Sequence, residues 1–150
     1  NTDSQRNIDR LEKELEEELR LRKMYNDSTQ SVGSLIDWVT EVEKRLAAEQ
    51  PQSQEIPKLT DQAAEHNSLH ADILSRQQPV METIHTATQL LEQHNNRLKD
   101  QDMFKLRHAA DDLKRRYDSA LGQSYGRQNR LASQSEELKR LGADRSEMET

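Results

Sequence analysis

Apolar residues recur along this chain at alternating steps of three and four, in three long blocks separated by two polar, turn-like segments. That period marks one face of a helix, so the pattern predicts three helices that bury their apolar rows against one another. In the first block the row steps through Ile8, Leu11, Leu15, Glu18, Arg22, Tyr25, Thr29, Val32, Ile36, Val39, Glu43 and Leu46. Its middle is polar, at Glu18, Arg22 and Thr29, and a second row of Leu35, Trp38 and Val42 joins it only towards the end. The widening stripe places the start of the packed core near Arg22. Residues 1–21 then read as a charged helical lead-in, continuous with a first helix over about 22–48.

Residues 49–57 break the period and carry Pro51 and Pro57, which reads as the first turn. Pro57 suits the first position of a helix, where its missing N–H costs nothing. The second helix, about 57–94, carries the row Leu59, Ala63, His66, His70, Ile73, Gln77, Val80, Ile84, Ala87, Leu91 and His94. Pro79 removes a backbone hydrogen bond in its middle, but the period continues in phase on both sides. A kink near Arg76 to Pro79 is expected there, not a helix end. Asn95, Asn96 and Asp100 mark the second turn.

The third helix, about 102–131, has the cleanest row: Met103, Leu106, Ala110, Leu113, Tyr117, Ala120, Ser124, Arg127 and Leu131. The phase continues through Gln134, Leu138, Leu141 and Met148, so residues 132–150 read as a helical continuation. Gly122 and Gly126 lie inside this helix and either admit close helix packing or make it pliable. Gly142 and Pro79 are further expected weak points.

Short turns make successive helices antiparallel, which gives an all-α, up-down-up three-helix bundle shaped as an elongated rod. The chain then enters at one end and leaves at the other, so such units can be joined end to end. The expected core comprises Leu35, Trp38, Val42, Leu46, Ile73, Ile84, Leu91, Leu106, Leu113 and Tyr117. Aromatic residues are only 3% of the chain and Trp38 is its single tryptophan. As a core residue it would fill much of a thin interior, and Trp38→Ala would cost ~3 to 5 kcal/mol.

Composition narrows the function classes. With 31% hydrophobic and 33% charged residues, the chain fits slender helices better than a thick core. A net charge of -6 argues against a nucleic-acid partner. The best of the local basic clusters, Lys114, Arg115 and Arg116 near Lys105 and Arg107, is a candidate docking patch for a lipid headgroup or an acidic partner, although Asp111, Asp112 and Asp118 interleave with it. No apolar run reaches the ~20 residues that span a bilayer, so no membrane insertion is expected. The absence of cysteine agrees with a reducing, cytoplasmic setting. Both ends are charged helix-like sequence without an initiating Met, so the chain is expected to continue at either end. The sequon Asn26-Asp27-Ser28 falls inside a helix and reads as a chance match.

Candidate chemistry is sparse. His66 and His70, four apart, share a helical face and could reach one metal, but no His-Glu-x-x-His carboxylate or cysteine completes a site. Their place on the apolar row favours packed, hydrogen-bonded histidines. His85, His94 and His108 are scattered. No serine is framed as a nucleophile and no Gly-rich phosphate loop is present, so no enzyme activity, catalytic residue, cofactor or metal is expected.

The block Leu35-Ile36-Asp37-Trp38-Val39-Thr40-Glu41-Val42-Glu43-Lys44-Arg45-Leu46 resembles the first helix of a spectrin repeat. Leu113-Lys114-Arg115-Arg116-Tyr117-Asp118-Ser119-Ala120-Leu121 resembles the matching third helix, with Tyr117 where that family often has Trp. The resemblance covers roughly residues 22–131 and implies a left-handed bundle with neighbouring repeats in the same chain. Ile56-Pro57, Gln78-Pro79-Val80 and Tyr117 are most similar to repeats of plakin and spectraplakin rods. That likeness implies a large cytoplasmic protein linking actin, microtubules, intermediate filaments or adhesion sites, with this unit as a spacer. Two other readings stand beside it. One is a docking module using exposed helix faces; the other is a coiled-coil dimer in which Glu18 and Arg22 pair across chains. The spacer reading expects a monomer.

Overall fold

The computed structural model describes residues 2–149, with side chains described for residues 2–142. The helices are α1 (Thr2–Ala48), α2 (Ile56–Ser75), α3 (Gln77–Gln93) and α4 (Asp100–Glu149). Only Arg76 separates α2 from α3, so the chain forms three rods. Their directions follow from the side chains that meet. Glu17 meets Arg97, Tyr25 meets Asp102, and Glu43 meets Arg116, so α1 and α4 run the same way. His66 meets Ser124 and Tyr117 meets Ile73, so α2 runs against α4.

The buried positions of α1 are Leu21, Tyr25, Ser28, Val32, Leu35, Val39 and Val42, an unbroken alternation of four and three. This corrects the expected seam. Tyr25, Val32 and Val39 keep their places, while Leu21, Ser28, Leu35 and Val42 replace Arg22, Thr29, Ile36 and Glu43, each one residue earlier. The reason is cost: this phase leaves Arg22 and Glu43 in reach of water, where burial would strip their charges of solvent. Along α4 the positions are as expected, with Leu106, Ala110, Leu113, Tyr117, Ala120, Ser124 and Leu131 buried. Leu141 is 51% exposed. Met148 lies outside the described side chains.

Among the expected core residues, Leu35, Val42, Ile73, Leu91, Leu106, Leu113 and Tyr117 are buried, and Leu46 and Ile84 pack half-buried at the margin. Trp38 is a correction: it too is only half-buried, and its neighbour Val39, at 0% exposure, occupies the centre. Position 38 lies one step round the helix from the seam, where the indole covers the core edge and its N–H reaches a surface carboxylate.

At Pro79 the expectation of a kink or local irregularity without a helix end is corrected. An uninterrupted helix would need an N–H from residue 79 for the Ser75 carbonyl, and the proline ring would collide with that carbonyl. The helix instead ends at Ser75, passes through Arg76 at φ -93° and ψ -1°, and restarts at Gln77. Pro79 thus falls in the first turn of α3, where an N–H has no partner within the helix.

Residues 2–20 of α1 lie outside the core, which begins at Leu21. Ile8, Leu11, Leu15 and Leu19 are 48% to 60% exposed there. At the opposite end α4 continues past Leu131, its last buried residue among the described side chains.

Space around the glycines separates the two readings made of them. A Cβ added at Gly122 meets nothing within 4 Å, and at Gly126 it meets only the Arg130 guanidinium end at 3.1 Å. No helix packs closely against either, which leaves pliability. Gly122→Ala is therefore expected to stabilise by up to about 1 kcal/mol, raising the Tm by about 2 to 4 °C. A lowered Tm in thermal melts would contradict that assignment.

Candidate functional site

Polar side chains concentrate at the end of the bundle built from residues 38–50, α2 and the second half of the α4 core. They form three groups.

The first surrounds the break at Arg76. Losing the regular helix there leaves the Ile73 carbonyl with only the Arg76 N–H at 3.2 Å, and the buried Tyr117 hydroxyl donates to it at 2.7 Å. Burial first, then the nearby Asp118 and Tyr125, push the Tyr117 phenol above its ordinary range, so it stays a donor. The Trp38 ring lies beside Tyr117, with centroids 6.1 Å apart. Trp38 Nε1 donates to Asp72 at 3.2 Å, and the Arg76 guanidinium sits 5.1 Å over the indole face. That is cation–π geometry. Three elements therefore meet at one joint.

The second group holds α1 to α4. Arg116 donates to both Glu43 carboxylate oxygens, to the Thr40 hydroxyl at 2.8 Å and to Asp112 at 3.4 Å. Its bond with Glu43 raises the Arg116 pKa against the opposing effect of burial. Burial pushes the Asp112 carboxyl up, but hydrogen bonds from Arg115 and Arg116, with their charges, outweigh it and hold the group below its ordinary range. This corrects the docking patch. Arg116 turns inward as a bridge, Arg115 pairs with Asp112, and Lys114 lies 3.8 Å from Asp118. Lys114 and Arg115 remain exposed, each beside an acid, so the three residues do not form one open basic surface.

The third group contains the two histidines. His66 Nδ1 lies 2.6 Å from the Glu49 carboxylate and Nε2 lies 2.8 Å from the Ser124 carbonyl. Both partners are acceptors. His70 Nδ1 lies 2.6 Å from the Ser124 hydroxyl, and the edge of Tyr125 approaches its ring at 4.5 Å. Arg127 completes the group, with Nε 3.5 Å from Glu49 and Nη2 donating to the Gln50 carbonyl at 2.7 Å. Burial first, and the His66 charge second, lower the pKa of His70.

Glu49, His66 and Ser124 have the connectivity of a nucleophilic relay, but not its geometry. His66 Nε2 points at a backbone carbonyl, the Ser124 hydroxyl is 3.4 Å away, and Ser124 is 0% exposed in mid-helix. In this packing a substrate carbonyl has no path to Oγ. Among the described residues, no group of three or more His, Cys, Asp or Glu side chains could hold a metal ion. Nor is any helix among them long and apolar enough to cross a membrane.

Sequence reasoning found His66, His70, Trp38, Tyr117 and Arg116 but missed Glu49, Asp72, Arg76 and Glu43 as their partners. Ser124 and Arg127 stood in the α4 row, a usable signal. Glu49 lies in an irregular turn and offers none.

Tyr117→Phe leaves the Ile73 carbonyl short of a partner and is expected to cost about 1 kcal/mol in urea denaturation. Trp38→Ala, at a half-buried site, is expected to cost about 2 to 3 kcal/mol, less than full burial would imply. A loss of 5 kcal/mol or none at all would each contradict the edge position. Neither a protein-family model nor a curated protein sequence matches this chain.

Proposed function

We propose that this chain is a spacer unit of a longer rod, a left-handed spectrin-like three-helix repeat in a cytoplasmic, cytoskeleton-associated linker of the plakin or spectraplakin type. The observation that carries the reading is the pair of terminal helices that run the same way and overrun the bundle at opposite ends. An apolar stripe on the entering helix, Ile8, Leu11, Leu15 and Leu19, is exposed where a preceding unit of the same chain would cover it. The leaving helix continues without interruption from the core to Glu149. Tension applied at the two ends then passes along α1 and α4, tied by Arg116 and Glu43. Filament or adhesion partners belong to the parent protein in this reading, and the unit itself keeps binding regions apart.

Local pairing of Lys114 and Arg115 with acids favours the spacer over a docking module. A charge-reversal test of docking has to use Lys114 and Arg115 and spare Arg116, because Arg116→Glu would set a carboxylate against Glu43 and disturb the fold.

Light scattering on a sizing column with small-angle X-ray scattering tests the proposal. A bundle of about 28 residues per rod with an overrun at each end gives a monomer with a maximum dimension of about 100 Å, at 1.5 Å per residue. A stable dimer, or a particle near the size of a sphere of this mass, would overturn it.

A further inference from the structure

The histidine pair sits in the interface through which α2 is held to α4. The main packing partner of α2 is α4, and it makes few close backbone approaches to α1. Two hydrogen-bonded contacts cross the α1–α2 gap, Glu49 to His66 and Trp38 to Asp72. At its far end, the break at Arg76 interrupts the backbone hydrogen bonding that would otherwise tie α2 to α3. His66 and His70 are 1% and 4% exposed, with ring centroids 6.2 Å apart.

His66 lies between two acceptors, the Glu49 carboxylate and the Ser124 carbonyl. The Ser124 hydroxyl lies 3.4 Å from His66 Nε2 and 2.6 Å from His70 Nδ1, where a neutral His70 ring can accept its proton. The charged and titratable groups around it are His66 on its own helix, Tyr125 and Arg127 on α4, and Glu49 at the end of α1. One carboxylate already serves His66 and Arg127. A proton on His70 would add a buried charge beside His66 without a second anion to pair it.

We propose that His66 and His70 make α2 an acid-released strap, which lets go of α1 and α4 under mild acid while α3 stays docked. The sign follows from linkage. Between the lowered pKa of His70 in the closed bundle and the ordinary imidazole value of 6.5, a released α2 binds a proton that the closed one does not. Closure is thus unaffected well above pH 6.5. It weakens as pH falls below that value, by up to about tenfold per pH unit for one proton.

Hydrogen exchange followed by mass spectrometry from pH 7.5 to 5, corrected for intrinsic exchange rates, tests this. Protection of α2 should fall below pH 6.5 while that of α3 and the first half of the α4 core holds. Uniform loss in all helices, or steady α2 protection down to pH 5, would overturn the proposal. His70→Asn keeps an acceptor towards Ser124 and should remove the acid step, whereas replacement of the exposed His85 by Asn should leave it. An unchanged acid step in His70→Asn would also overturn the proposal. If His70→Asn does not fold, the wild-type protection profile decides alone.

Discussion

Pro79 withholds one backbone N–H, and much of the surrounding structure is arranged around that deficit. The helix yields at Arg76, which exposes carbonyls that a regular helix would have satisfied, and a buried tyrosine hydroxyl from α4 supplies one of the missing donors. Buried polar backbone left unpaired is costly, so the joint persists because Tyr117 is there to complete it. Trp38 then shields the joint with its ring, anchored by Asp72 on one side of the break and by Arg76 at the break itself.

The same thinness of core explains why so much of one end is polar. A bundle with few large apolar side chains cannot hold three rods by apolar contact along its whole length. Where α1 and α2 draw apart, charged and hydrogen-bonded side chains span the gap, and each is paired with a partner on another element. Such pairs contribute less net free energy than buried apolar area, yet removing one partner strands the other. Ser28 shows the opposite case: it occupies a seam position with its hydroxyl buried and no hydrogen-bond partner. That seam position is therefore filled at some cost, because an apolar side chain would have served the packing better.

Much of the fold was legible in the periodicity of the sequence. The α4 row was readable position by position because its residues keep one phase from Met103 to Leu131, even beside Phe104 and Leu121. The α1 row was misread by one residue at alternate steps, because Ile36 and Leu35 are adjacent and either could serve; only the partners on α4 decide between them. The break was locatable from Pro79 but not its severity, which depends on whether a neighbouring donor can stabilise an open carbonyl. Partners such as Glu49 and Asp72 carry no periodic signal, since a hydrogen bond between elements depends on three-dimensional register. The basic cluster read as a surface because sequence shows charge but not direction, and Arg116 points inward.

Trp38 is the single indole of the chain and touches the joint from both sides. Its fluorescence is therefore a local optical probe of a place where two half-helices meet, whereas circular dichroism averages over all the rods. Any loosening of the Arg76 joint that leaves the helices intact would be visible to one method and silent to the other.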